Sequence, residues 1–124
     1  MNFATWSNFF YLVPLLAAGY YGLWLVVAAM LALFICSLAF HLSRETRFVF
    51  ADIFAAIVVI IFGLWLLYLG GFQALYAATV GVLALIGLYI RYGFERGDRG
   101  GTYHGLWHLV AASAILTCVL SYAV

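Results

Sequence analysis

Apolar residues run almost unbroken from position 3 to 42, and again across 48–69, 72–91 and 102–123, with polar residues gathered in short clusters between the runs. As one helix the first run would reach about 60 Å at 1.5 Å per residue, twice the hydrocarbon thickness of about 30 Å. It must turn once, and Gly19-Tyr20-Tyr21-Gly22 is where glycine permits the turn. The pattern predicts an all-α integral membrane bundle of five spans, at about 4–18, 22–42, 48–69, 72–91 and 102–123. Thr5, Ser7 and Asn8 fall in the opening turns of the first span, and Pro14 predicts a kink in it. The charged cluster Ser43-Arg44-Glu45-Thr46-Arg47, the Gly70-Gly71 pair and the polar stretch Gly93 to Gly101 separate the others. No repeat or low-complexity tract interrupts residues 1–124, which read as one transmembrane domain.

Composition strengthens this picture. The chain is 69% hydrophobic and 7% charged, against about 25% charged in soluble domains. A net charge of +1 argues against a nucleic-acid partner. Cys36 falls towards the charged side of the membrane and Cys118 in the opposite half, so they are expected to be separate thiols. The N-terminus lacks a basic region and a small-residue cleavage site, so the first span is expected to be retained.

Spans alternate in direction. The end of the second, start of the third, end of the fourth and start of the fifth therefore share one membrane face. Arg44, Arg47, Arg91, Arg96 and Arg99 all fall there, and the opposite loops carry no charge. The positive-inside rule makes that face cytoplasmic, with the N-terminus inside and the C-terminus outside. Short loops suit a prokaryotic inner membrane.

On the same face lie the residues that could carry chemistry. His104 and His108 are four apart, one above the other on a helix, the spacing that lets two imidazoles grip one metal ion. The third histidine, His41, closes the second span with Ser37 four residues before it, and Asp52 is the only acid inside an apolar run. Each of these alone has an ordinary explanation. A single interfacial histidine hydrogen-bonds at the headgroups, Asp52 could pair with Arg47 or Arg91, and Ser37 could bond its own helix. Three histidines and an acid at one depth point instead to a site. Trp107 and the tyrosines read as interface anchors, Gly63, Gly81 and Gly87 as points of close helix packing, and Glu45, Glu95 and Asp98 as solvated loop charges.

Set in order, Ser37-x3-His41, Asp52 and His104-x3-His108 resemble the shared motif of the CREST superfamily of membrane hydrolases. That superfamily takes in alkaline ceramidases, progestin/adiponectin receptors, GPI-remodelling proteins and the myomaker group. The resemblance implies that His41, His104 and His108 ligate zinc, and that Asp52 and Ser37 handle the attacking water and the substrate oxygen. It implies hydrolysis of a membrane lipid amide or ester. Ser7-Asn8-Phe9-Phe10 through Pro14 is loosely similar to the first span of ceramidase-like members. The superfamily has seven spans where this chain has room for five. Loss of two between Asp52 and the paired histidines preserves direction but removes part of a lipid pocket wall, which a second copy in a homodimer would supply. Two alternatives stand beside the hydrolase: a non-catalytic membrane protein with a structural zinc, of receptor or membrane-remodelling type, and a b-type cytochrome with His41 and one of His104 and His108 as axial haem ligands.

Overall fold

The computed structural model describes residues 2–95 and 101–124. The loop charges Arg96, Asp98 and Arg99 lie outside the described residues. Among the described residues six α-helices follow one another: α1 (Phe3–Ser7), α2 (Leu12–Tyr20), α3 (Trp24–Ser43), α4 (Thr46–Leu69), α5 (Ala74–Tyr89) and α6 (Thr102–Ala123). Among the described residues there is no strand. A 3-10 turn, Asn8–Tyr11, joins α1 to α2, and a π-turn, Ile90–Phe94, continues α5.

Backbone groups in hydrocarbon must be satisfied within their own segment, and continuous helix is how these apolar runs do it. Four helices are long and apolar enough to cross a membrane: α3, α4, α5 with its π-turn, and α6. The molecule fits an integral membrane protein, with large apolar side chains such as Phe50, Phe54, Ile57 and Ile61 of α4 facing outward. The first span is α1, turn and α2 together, about 29 Å of rise. Its irregularity falls not at Pro14 but one turn earlier. A proline clashes with the carbonyl four residues back, here Phe10, inside the 3-10 turn. Pro14 itself sits in the first turn of α2, where a missing N–H costs nothing.

Caps mark the remaining ends. The Asn2 side chain accepts the Thr5 N–H at 3.1 Å and starts α1. α3 stops at Arg44, whose φ of 57° is the left-handed conformation that usually terminates a helix at glycine. Gly22 and Gly71, both with positive φ, make the turns at the other end of the bundle.

α6 is the central helix and packs on α1, α2, α4 and α5, while α3 bridges α2 and α4. The shared core joins Ala18, Met30, Leu33, Val59, Leu66, Ala112 and Val119. Lipid gives helices little hydrophobic reason to associate, so close approach at small residues carries the packing. Gly63 lies against the Cys118 thiol, Gly87 against the Trp107 ring and Val110, and Gly105 against the Phe3 ring. Gly81 faces open space and packs against nothing. Cys36 and Cys118 are both free thiols.

The closest approach to the backbone of another helix is at Gly70, where an added Cβ would stand 2.6 Å from the Ser121 carbonyl oxygen. That obstacle is backbone and cannot rotate aside. Gly70→Ala is expected to destabilise the bundle by about 1–3 kcal/mol, read as a lower thermal midpoint in detergent. Gly81→Ala should leave that midpoint unchanged.

Candidate metal centre

One end of the bundle gathers the C-terminus of α3, the N-terminus of α4, the π-turn after α5, and the starts of α1 and α6. Their polar residues meet in a half-open cavity of about 510 Å³, lined by His41, Arg44, Asp52, Arg91, Glu95 and His104, among others. A second cavity of about 160 Å³ lies deeper, bounded by Tyr11, Ser37, Asp52, Arg91, His104 and His108. Asp52 and His104 line both.

Two helices deliver the three imidazoles. The last turn of α3 presents His41, and the first two turns of α6 present His104 and His108 on one face. Their ring centres are 4.9 Å apart for His41 and His104, 5.1 Å for His41 and His108, and 4.6 Å for the α6 pair. One nitrogen from each lies within 4.8 Å of the other two. Atoms so placed lie within about 2.8 Å of a common centre (4.8 Å divided by √3), and metal–nitrogen bonds of about 2.0–2.1 Å need only a sub-ångström contraction.

The burial of these nitrogens makes the cluster informative. His108 is 3% exposed, and His41 and His104 are half-buried. The Nε2 atoms of His41 and His104 are buried and lack a hydrogen-bond partner. An unmet buried polar atom costs about 1–3 kcal/mol, and a cation between the rings would satisfy these two together. The residues therefore fit a metal ion.

The other predicted residues come to the same place. Ser37, at 1% exposure, is turned to the Asp52 carboxylate across the α3–α4 contact. Asp52 is outside the group of atoms within metal-ligand reach. The arginines expected to neutralise it are engaged elsewhere: Arg47 pairs with Glu45 at 2.6 Å, and Arg91 with Glu95 at 2.5 Å. Among the described residues no basic side chain forms an ion pair with Asp52.

Three residues enter the site that the sequence did not mark as site residues. Glu95 is not a solvated loop charge. The π-turn, closed by Glu95 N–H to the Ile90 carbonyl at 3.1 Å, carries it back towards α6, where its Oε1 meets His104 Nδ1 at 2.5 Å. Ser7, fully buried, places its Oγ 2.7 Å from His108 Nδ1. Tyr11, from the 3-10 turn, stacks obliquely on His108 with ring centres 5.5 Å apart. Ser7 was visible as one of few polar side chains in an apolar span. Glu95 gave no signal, because nothing in the pattern predicts a π-turn.

No family model matches the chain, and neither a curated protein nor a solved structure matches it.

Purified protein is expected to carry about one divalent transition metal per chain, with His41→Ala and His104→Ala each losing it. Elemental analysis of detergent-purified protein decides this, and a wild type without metal would refute the centre.

Proposed function

We propose that the protein is a zinc-dependent membrane hydrolase that cleaves an amide or ester of a membrane lipid. One observation carries this reading: three imidazole nitrogens stand within mutual ligand reach, while the Asp52 carboxylate stays out of that group yet lines the same cavities. Three protein ligands leave an open position, as catalytic zinc sites do, whereas a structural site is closed by a fourth. The arrangement of Ser37, His41, Asp52, His104 and His108 also supports the resemblance to the CREST superfamily. Zinc is favoured over other metals because an all-imidazole set suits it and because zinc serves hydrolysis without redox chemistry.

A zinc ion in the site would supply Lewis acidity, polarising a carbonyl oxygen and making water ionisable near neutral pH. The residues of the chain do the rest. His41, His104 and His108 hold the ion. Asp52, which forms no ion pair with a described arginine, accepts a proton from the attacking water and passes it to the departing amine or alkoxide. The Ser37 hydroxyl, beside Asp52, donates to the substrate oxygen as negative charge develops there. Tyr11 and Leu33 wall the inner cavity and limit the water that reaches it. The half-open outer cavity would receive the headgroup, with Arg44 and Arg91 at the headgroup level expected on the cytoplasmic side.

The two other readings are weaker on these distances. A closed structural zinc would draw Asp52 in as fourth ligand, and it is not in reach. Axial haem ligands stand on opposite faces of a porphyrin, and rings with centres 4.9 and 5.1 Å apart leave no room for one between them.

Asp52→Asn should lower lipid hydrolysis by about 10²–10⁴-fold while leaving bound zinc unchanged. Fatty-acid release from a panel of amide- and ester-linked lipids measures the first, and metal analysis the second. Full activity in this variant would rule out the role of Asp52.

A further inference from the structure

We propose that Ser7 and Glu95 are positioning residues of the metal centre: each takes the Nδ1–H of one α6 histidine and so commits that ring's Nε2 lone pair to the shared ion. This rests on the three imidazoles being a metal site, and extends it to two residues outside the ligand set.

A neutral imidazole carries one N–H and one lone pair, and the partner of one nitrogen decides the role of the other. Glu95 Oε1 lies 2.5 Å from both the Arg91 guanidinium and His104 Nδ1. A carboxylate held by a guanidinium accepts hydrogen bonds, so His104 donates from Nδ1. Its Nε2 is left with a lone pair, and that is the buried atom without a partner.

His108 reaches the same state with a neutral partner. Ser7 Oγ is 3.0 Å from the Ala4 carbonyl and 2.7 Å from His108 Nδ1. The hydroxyl has one hydrogen, and a carbonyl can only accept. Ser7 therefore donates to Ala4 and receives from His108 Nδ1–H. Outer hydrogen bonds of this kind fix the tautomer and orientation of metal-bound histidines.

Both contacts depend on segments outside α6. Ser7 ends α1, which is seated on α6 where Gly105 meets the Phe3 ring and Gly101 meets Asn2 and Ala4. Glu95 closes the π-turn. The chain thus clamps its paired histidines from two sides, one clamp for each ring.

The test uses the full chain in detergent, stripped of metal and titrated with Zn²⁺ against a chromophoric chelator, and separately with Co²⁺. Ser7→Ala and Glu95→Ala should each weaken zinc affinity about 10–100-fold and shift the cobalt d–d bands, with helical content by circular dichroism unchanged. Ser7→Thr, which keeps the hydroxyl, should recover most of the affinity. Nitrogen-15 spectra of the histidine rings in the metal-free wild type should show His104 and His108 as Nδ1–H tautomers, a readout that needs no variant to fold. Affinity and spectra equal to wild type in both alanine variants, failure of Ser7→Thr to restore binding, or Nε2–H tautomers would each overturn the proposal. Failure of the metal centre itself is distinguishable, since the wild type would then bind neither ion.

Discussion

A polar atom buried inside the bundle has no bulk water to satisfy it, and this constraint shapes one whole end of the molecule. Three imidazoles offer six ring nitrogens there. His104 Nδ1 and His108 Nδ1 are met by Glu95 and Ser7. The Nε2 atoms of His41 and His104 are buried and unmet. Everything around the cluster serves this accounting. The first span breaks into two helices and a 3-10 turn, and α5 ends in a π-turn rather than a clean stop. α1 sits against glycines of α6, where any larger residue would hold it away. Ser7 ends α1 just before the 3-10 turn and Glu95 closes the π-turn, so two of these irregular segments border the partners of the α6 rings.

Much of the architecture could be foreseen because the bilayer permits so few solutions. Runs of about 20 apolar residues fit spanning helices, so the helices and their alternation followed from 3–42, 48–69, 72–91 and 102–123, and four of the described helices are long and apolar enough to cross a membrane. Parity then put His41, Asp52, His104 and His108 at one end, where all four are found. The i, i+4 spacing of the α6 pair and of Ser37 with His41 translated directly into shared faces.

Other features depend on how helices end, which apolar periodicity does not encode. Glu95 looked like a loop charge because its path back to His104 requires a turn one residue wider than an α-helix. Ser7 looked like a polar residue near a membrane surface, because its partner lies on the last helix, about a hundred residues away in sequence. Gly63, Gly81 and Gly87 were indistinguishable on paper, yet only the first and third meet another helix. Pro14 was correctly read as a disturbance and placed one turn late, since the clash it causes is with a carbonyl four residues before it.

The chemical character of the two histidine partners follows the depth of each ring. His108 is one helical turn deeper than His104 and almost wholly buried, and its partner is a neutral hydroxyl that passes its own hydrogen to a backbone carbonyl. An ionised partner there would bear the full cost of desolvation with no counter-charge at hand. His104 lines the outer as well as the inner cavity, and its partner is a carboxylate whose charge Arg91 offsets. A charge-assisted bond is the stronger of the two kinds, and Arg91 sustains it by pairing with Glu95. His41, on a separate helix, has no comparable hydrogen bond to its ring among the described residues, so its orientation is set by packing against Phe40 and by the two α6 rings. The geometry of the centre is thus anchored on α6, and His41 completes it from across the cavity.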